Sequence, residues 1–216
     1  MNLRLGIVDY GVGNISSLKM AFEAVGAESI LVQKPADLTG IDAIVLPGVG
    51  HFRTASAALH DSGLAHHICH QVSLGLPILG ICLGFQLLTS SSAEAVGSSG
   101  LGLLSATCQR LCPRNTILHK VPHMGWNTLE CCDTYSRLLH SIHPEHWHFY
   151  FANSYAISSD SLRSASAIQA TYSHEKPWVG LVEDGPIFGV QFHPEKSREQ
   201  GLQLLRNFLT LTSQSR

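Results

Sequence analysis

The feature that most constrains the fold is an alternation of short apolar runs with helical patterns in the first half of the chain. The helical patterns cover residues 15–27, with Asn14 as a predicted N-cap, and residues 51–71. The apolar runs between them are continuous, which is typical of strands buried on both faces. Such β–α alternation predicts a parallel sheet with helices on both sides. The predicted strands are residues 3–8, 30–32, 42–46 and 77–81.

The second half of the chain is richer in strand-like segments, so we expect antiparallel additions to the parallel core. The fold class is therefore α/β, with a mostly parallel central sheet and flanking helices. A Ser- and Gly-rich segment at residues 89–100 is predicted to be a loop. A final helix carries the apolar stripe Leu202, Leu205 and Leu209, and Ser197 and Gln200 have the spacing of a capping box. The added strands are residues 147–151, 166–172, 179–183 and 187–192.

Length and composition favour one well-buried domain, residues 1–216, because 44% of the residues are hydrophobic. Charged residues make up only 14% and the net charge is −2, which does not suggest binding to nucleic acid or to an acidic membrane. A surface with so few charges suggests that a partner protein covers part of it. No apolar stretch reaches about 18 residues, so no membrane span is expected. The N-terminus enters a strand without a signal peptide, which favours a cytoplasmic protein with free thiols.

The strongest local motif is PILGICLGFQLL at residues 77–88, which combines a strand, G-x-C-x-G and a helix. This is the cysteine form of the nucleophile elbow, a sharp turn that points the central side chain outward. Gly80 and Gly84 leave room around the turn, and the N-terminus of the following helix favours the thiolate form of Cys82. The N–H of Leu83 is then placed to stabilise an oxyanion. The alternative is a buried structural cysteine, since free cysteines are among the most buried residues.

The segment GVQFHPEKS at residues 189–197 supplies a candidate base, His193, and a candidate orienting carboxylate, Glu195. A catalytic thiol needs an imidazole that takes its proton and returns it to the leaving amine. The imidazole needs a carboxylate that holds its tautomer and orientation. Residues two apart on an extended segment share a side, and Pro194 stiffens the link. The alternative is a solvated turn, since the chain has 13 histidines, but the order Cys, His, Glu favours catalysis.

Together these residues resemble the class I, or triad-type, glutamine amidotransferases, and the resemblance spans nearly the whole chain. Further motifs occur in the order found in that family. PGVG combined with PHMGWN is similar to the glutaminase subunits of imidazole glycerol phosphate synthase, an enzyme of histidine biosynthesis. The motifs are GVGN at residues 11–14, LPGVGHF at 46–52, GLGLL at 100–104, KVPHMGWN at 120–127 and YFANSY at 150–155.

The resemblance implies a flavodoxin-like fold and a reaction that requires no cofactor. Cys82 would form a glutamyl thioester, with His193 as acid and base and Glu195 as its orienter. The PGVG segment is similar to one that supplies a second oxyanion donor and can flip a peptide, which glycines make easy. The implied oxyanion hole comprises Leu83, Val49 and Gly50, and the positions implied to bind glutamine are Gly50, Gln86, Ser154 and Tyr155.

The implied partner is a (β/α)-barrel cyclase subunit, which would use the ammonia to form imidazole glycerol phosphate. Two positions depart from the family pattern. Asn153 stands where the family usually has His, and an amide side chain, unlike an imidazole, cannot be protonated to a cation. Phe85 stands where Met is more usual, an apolar exchange that we expect only to repack a wall. The positions implied to face the partner are Asn14, Met124, Gly125, Trp126, Tyr150, Asn153 and Lys196.

The remaining histidines and cysteines do not predict a metal site. His66 and His70 lie one helical turn apart, a spacing that can bind zinc, but no further ligands lie nearby in the sequence. Cys108 with Cys112, and the pair Cys131 and Cys132, lack the C-x₂-C spacing of structural zinc sites. With Cys69 and Cys82, these cysteines are predicted to be free thiols.

Other functions stay open at the level of sequence. A freestanding Cys–His–Glu hydrolase, such as a γ-glutamyl peptidase, would use the same triad and would be active alone. An amidotransferase subunit of a different synthase would share the triad and need a different partner. A non-catalytic binding module with this fold is disfavoured by the intact set of Cys82, His193 and Glu195.

Overall fold

The structure, a computed structural model, describes residues 3–11, 13–130, 136–164 and 166–214. Cys131, Cys132 and Val12 of the GVGN motif lie outside the described residues. The strands are β1 (Arg4–Val8), β2 (Glu28–Val32), β3 (Ala43–Leu46), β4 (Ile78–Ile81), β5 (Thr89–Ser92), β6 (Leu104–Arg110), β7 (His123–Glu130), β8 (His148–Asn153), β9 (Tyr155–Ile157), β10 (Ile168–His174), β11 (Lys176–Asp184) and β12 (Ile187–Val190). The helices are α1 (Ile15–Ala24), α2 (Phe52–Asp61), α3 (Leu64–Ser73), α4 (Leu83–Leu87) and α5 (Arg198–Gln214), with 3-10 turns at Pro35–Leu38, Pro144–His146 and Pro194–Lys196.

A long mixed sheet organises the described part of the chain. Its strand order is β2-β1-β3-β4-β12-β11-β10-β7-β8, and a smaller sheet has the order β5-β6-β9. The strands from β2 to β12 pair in parallel, whereas those from β12 to β8 pair antiparallel. The predicted fold class, a parallel core with antiparallel additions, is confirmed.

Two apolar cores lie on opposite faces of the sheet. Along β3, Ala43 and Val45 belong to one core and Ile44 and Leu46 to the other, as the alternation of side chains along a strand requires. Helices α1 and α5 cover the first face, and α2 and α3 cover the second. The strand is therefore buried on both sides, which explains its continuous apolar sequence.

The helical pattern at residues 51–71 forms two helices, not one. It breaks at Ser62 and Gly63, where Gly63 adopts φ +75°, a left-handed conformation that glycine reaches without a steric penalty. The predicted N-cap of α1 is confirmed, because the side chain of Asn14 accepts a hydrogen bond from the backbone N–H of Ser17. Among the described residues, no helix combines the length and hydropathy that crossing a bilayer requires.

The prediction of a loop throughout residues 89–100 is wrong at its start, where β5 pairs with β6 in the small sheet. Strands β6, β7 and β9 were not predicted. The capping box expected at Ser197 and Gln200 does not form. Instead, the Ser197 hydroxyl donates to the carbonyl of His193 at 2.6 Å, and the Gln200 amide donates to the carbonyl of His148 at 2.7 Å. Both side chains fasten the start of α5 to neighbouring segments.

Candidate active site

Cys82 occupies the sharp turn between β4 and α4, as the elbow motif predicts. Its backbone has φ 54° and ψ −110°, a strained conformation for a residue with a side chain and one that costs on the order of 1–3 kcal/mol. The turn packs closely against β3, because a Cβ on Gly84 would collide with the carbonyl oxygen of Leu46. A Cβ on Gly80 would lie 2.8 Å from the Cα of Phe85. The two glycines are therefore required by the packing of the elbow.

His193 reaches the elbow because β12 lies beside β4 in the sheet. The parallel register pairs Val190 with Ile81, and the backbone N–H of Cys82 donates to the carbonyl of Val190 at 2.8 Å. The chain then runs through Gln191 and Phe192 to His193, whose N–H donates to the carbonyl of Tyr150 at 2.8 Å. Sheet pairing thus brings together two motifs that are far apart in sequence.

His193 and Glu195 form a buried ion pair behind the cysteine. Nδ1 of His193 lies 2.8 Å from Oε1 of Glu195, and each side chain is only 4% exposed. Burial by itself lowers the pKa of His193, but hydrogen bonds with the Cys82 sulfur and with Glu195, and the charges of both, raise it to about 10. These neighbours therefore favour the protonated imidazole, which can give its proton to a leaving amine.

A pocket of about 290 Å³ opens above the sulfur. It brings together most of the residues that were assigned to catalysis, oxyanion binding and glutamine binding. Glu195 stays behind His193, outside the lining, as an orienting residue should. The lining consists of Val49, Gly50, Cys82, Leu83, Gln86, Glu94, Pro122, Ala152, Asn153, Ser154, Tyr155, His193 and Lys196.

The PGVG segment forms one rim of this pocket. Gly50 adopts φ +100°, and no atom lies within 4 Å of the position that its Cβ would take. Behind the rim, the buried Tyr10 hydroxyl donates to the carbonyl of Pro47 at 2.6 Å. Leu83 packs beside Gly48 of this segment and is the first residue of α4, where backbone N–H groups have no partner within the helix. The segment is thus anchored at Pro47 and open at Gly50.

Gln86 is less available to a ligand than its assignment suggests. Its side-chain nitrogen donates to the carbonyl of Tyr155 at 2.8 Å and to Oε1 of Gln191 at 3.1 Å. An amide nitrogen carries two hydrogens, so both donors are used. Gln86 therefore offers glutamine only its carbonyl oxygen, which is an acceptor.

The residues assigned to the partner face separate into an exposed group and a buried one. Strands β7 and β8 place Trp126 opposite Tyr150, with ring centroids 6.2 Å apart. Met124 is 66% and Trp126 is 42% exposed, and the Arg198 guanidinium lies 5.0 Å from the Trp126 ring centroid. Gly125 lies between these two side chains, Lys196 lies over the Tyr150 ring, and Asn14 is exposed at the start of α1.

Asn153 belongs to the buried group. It is 5% exposed and lines the pocket, and its side-chain nitrogen donates to the carbonyl of Tyr155 at 3.1 Å and to the Tyr172 hydroxyl at 3.0 Å. Its Oδ1 is buried and has no hydrogen-bond partner among the described residues. Asn153 therefore faces the inside of the pocket and does not lie on the surface around Trp126.

Two polar residues at the site were not identified from the sequence. Glu94 lines the pocket, and its Oε2 accepts a hydrogen bond from the backbone N–H of Phe52 at 2.8 Å. Gln191 is fully buried, with its side-chain nitrogen 3.8 Å from the Cys82 sulfur. In the sequence, Gln191 stands out as a polar residue inside an apolar strand, two positions before His193. The lone acidic residue in a Ser-rich segment was the signal for Glu94.

Among the described residues, Cys82 and His193 are the cysteine and histidine that line this pocket. Among the residues that the structure describes, no group of three or more His, Cys, Asp or Glu side chains is arranged to hold a metal ion. His66 and His70 lie on α3. Burial raises the pKa of the Cys108 thiol to about 12, so this cysteine is an unreactive core residue.

Comparison with known proteins agrees with this geometry. The family model "Glutamine amidotransferase class-I" matches residues 6–211. The chain is 41% identical over 210 residues to imidazole glycerol phosphate synthase subunit HisH of Geobacillus sp. (strain WCH70), covering 96% of each chain. It is 40% identical over 207 residues to the HisH subunit of Methanothermobacter thermautotrophicus, covering 96% of this chain and 98% of the relative.

Solved structures show the same fold at lower sequence identity. A chain of PurLQS from Thermotoga maritima superimposes with a TM-score of 0.73 at 21% identity, covering 98% of this chain and 99% of that one. A structure described as a glutamine amidotransferase has a TM-score of 0.72 at 21% identity, covering 97% and 98%. The family match and the close relatives establish the family: the chain belongs to the class I glutamine amidotransferases, within the group of HisH subunits of imidazole glycerol phosphate synthase.

Proposed function

We propose that Cys82, His193 and Glu195 carry out the glutamine hydrolysis of this family, within a single amidotransferase domain formed by residues 1–216. The observation that carries the proposal is the strained cysteine at the head of α4, which shares a pocket with an imidazole whose Nδ1 lies 2.8 Å from a buried carboxylate. Cys82 and His193 face a pocket of about 290 Å³, close to the lower end of the roughly 300–1,000 Å³ typical of small-molecule sites. An amino acid suits that volume.

In the first half of the reaction, the thiolate attacks the side-chain carboxamide carbon of glutamine. The carbonyl oxygen becomes an oxyanion, which the N–H of Leu83 and a donor from Val49 or Gly50 stabilise. His193, protonated beforehand, gives its proton to the departing ammonia as the tetrahedral intermediate collapses. The product is a glutamyl thioester on Cys82.

In the second half, water attacks the thioester and His193, now neutral, accepts its proton. Collapse of the new tetrahedral intermediate releases glutamate and restores the thiolate. Glu195 keeps the Nδ1 proton in place and stabilises the imidazolium in both halves. No step requires a metal or a cofactor.

The polar lining suggests how glutamine is oriented. The carboxylate of Glu94 and the side-chain oxygen of Gln86 are acceptors, and the Phe52 bond occupies only one of the two Glu94 oxygens. Acceptors of this kind suit the α-ammonium group of the substrate. Ser154 and Tyr155 form the facing wall, and Gly50 completes the rim beside the carboxamide.

We further propose that the ammonia passes to a (β/α)-barrel cyclase subunit bound over Met124 and Trp126. The relatives are named as subunits of a synthase, which implies a partner. Exposed Trp, Met and Arg side chains are typical of protein interfaces, and Trp126 lies against Arg198 here. The remaining proposed contacts are Asn14, Gly125, Tyr150 and Lys196, with Asn153 beneath them in the pocket. Because a catalytic thiol must stay reduced, we place the protein in the cytoplasm.

Glutamate release from glutamine tests these proposals. We would measure it for the purified chain alone, with the cyclase subunit, and with that subunit and its nucleotide ligand. Strong activation in the complete mixture alone would support the subunit role. Full activity of the isolated chain would favour a freestanding hydrolase, and no activity in any mixture would favour a different synthase. Cys82→Ala must abolish turnover without loss of folding, and turnover that survives the substitution would rule out Cys82 as nucleophile.

A further inference from the structure

Gln191 lies beside the reactive sulfur, yet the reaction described above does not use it. The residue follows directly after β12, and its backbone N–H donates to the carbonyl of Gly180 at 2.9 Å. Its side chain is fully buried. The amide nitrogen lies 3.8 Å from Sγ of Cys82, and the amide oxygen accepts from Gln86 at 3.1 Å. A buried amide that contacts a nucleophile at one end and a second amide at the other requires an explanation.

The orientation of the Gln191 amide follows from its neighbours. The carbonyl of Tyr155 can only accept, so Gln86 must turn its NH₂ group toward it. The second hydrogen of the same nitrogen then points at Gln191 and requires an acceptor there. Gln191 therefore presents its oxygen to Gln86 and its NH₂ group to the sulfur. The Tyr155 carbonyl, three hydrogen bonds away from Cys82, thus determines that the sulfur faces a donor.

An N–H donor at this position favours the negatively charged form of the sulfur. A thiolate is stabilised by N–H groups that point at it and destabilised by carbonyl oxygens. The sulfur lies 3.8 Å from the Gln191 amide nitrogen and 3.9 Å from the carbonyl of Ala152, to which the neutral thiol donates. The imidazole of His193, whose pKa is raised in part by Cys82, is the other donor that lines the same pocket. Because the Gln191 amide does not titrate, it can stabilise the thiolate at any pH without giving up a proton.

The other titratable groups near the sulfur do not supply such a donor. Besides His193, with Glu195 behind it, the phenols of Tyr10 and Tyr172 lie near the sulfur. Glu94 and Lys196 line the same pocket, and Glu94 accepts from the backbone N–H of Phe52. Burial raises the pKa of both phenols, so they remain neutral near pH 7. The Tyr10 hydroxyl donates to Pro47, and the Tyr172 hydroxyl accepts from Asn153.

We propose that Gln191 is a positioning residue that holds an N–H donor against Cys82 and favours its thiolate, with Gln86 and the Tyr155 carbonyl fixing its orientation. The inference rests on the proposed role of Cys82 as nucleophile. In this proposal Gln86 orients Gln191 in addition to binding glutamine. It also joins the wall of the substrate pocket at Tyr155 to the reactive atom, through hydrogen bonds of 2.8, 3.1 and 3.8 Å.

Alkylation of Cys82 by iodoacetamide tests the proposal without glutamine turnover. Only the thiolate reacts, so the rate against pH reports its population. The rate is read at the Cys82 peptide by mass spectrometry, and exposed Cys112 in the same sample is the internal reference. The variants are Gln191→Glu, which keeps the shape and the acceptor for Gln86, and Gln191→Leu, which removes both polar groups. Gln203→Glu on α5 adds the same charge far from the site and is the control.

We expect both Gln191 variants to shift the pH profile of Cys82 alkylation upward by about one pH unit, which is about a tenfold lower rate on its rising limb, and to approach the wild-type rate at high pH. The control variant and Cys112 should be unchanged. An unaltered pH profile in both variants would overturn the proposal, and so would a uniform fall at every pH, which would show a packing effect only. Thermal melts establish that each variant is folded. If the chain failed to hydrolyse glutamine at all, the alkylation profile would still decide the role of Gln191.

Discussion

Glu195→Gln removes the charge behind His193 while keeping nearly the same shape. The bond that it alters is 2.8 Å long and both side chains are 4% exposed, so solvent and salt screen it little. A hydrogen bond to a charged group contributes about 1.5–3 kcal/mol. Since about 1.36 kcal/mol corresponds to a tenfold change in rate, kcat should fall roughly 10- to 150-fold. KM should change little, because Glu195 does not line the pocket.

The assay is glutamate release by the complex of this chain with its synthase partner, with kcat and KM measured from pH 6 to 10. Loss of the carboxylate lowers the pKa of His193, so the deficit should grow as the pH rises. Glu199→Gln is the matched control, since that carboxylate is 74% exposed and pairs with Arg206 on the surface of α5. A loss in Glu195→Gln of less than threefold, or an equal loss in the control, would refute the role of Glu195.

Three further outcomes are expected. Gly84→Ala should destabilise the fold by about 1–3 kcal/mol, since its Cβ collides with the Leu46 carbonyl; a thermal melt should show Tm lower by roughly 2–12 °C. The pairing of His193 should stabilise the fold fully below pH 6.5 and should be lost as the pH rises through about 10. The difference in Tm between the wild type and His193→Gln should therefore shrink over that range, and a constant difference would contradict the raised pKa. Trp126→Ala should weaken binding to the synthase partner by roughly 30-fold or more, as at an interface hot spot of about 2 kcal/mol. Leu74→Ala, which removes another exposed apolar side chain, is the control and should leave the affinity for the partner unchanged. Isothermal titration calorimetry measures both affinities.

The parallel half of the sheet was predictable because its signal is local and strong. Each buried strand is a continuous apolar run, and β3 carries side chains into both cores. The small sheet was not predictable in this way. Strand β5 has the sequence TSSS, whose composition is typical of a loop, and it becomes a strand because β6 lies beside it. Pairing of this kind depends on neighbours that are distant in the sequence.

The break between α2 and α3 had a visible cause. Gly63 lies inside an otherwise helical pattern, and its φ of +75° ends one helix and precedes the next. A glycine within a helical pattern is often tolerated, so the presence of Gly63 in the sequence did not by itself predict the break. The spacing of Ser197 and Gln200 matched a capping box, but both side chains donate hydrogen bonds to carbonyl groups outside the helix instead.

The catalytic motifs were evident from the amino-acid sequence: a strand–cysteine–helix turn with glycines around it, and a histidine followed two residues later by a carboxylate. These are local patterns, since a few neighbouring residues set their geometry. The relative positions of these motifs depend on the three-dimensional fold. The register of β12 against β4 brings His193 to Cys82, the partners of the Tyr155 carbonyl orient the two glutamine amides, and the burial of Asn153 places it in the pocket. The physical reason is that sheet pairing and buried hydrogen bonds join residues that lie far apart along the chain, and no local pattern specifies them.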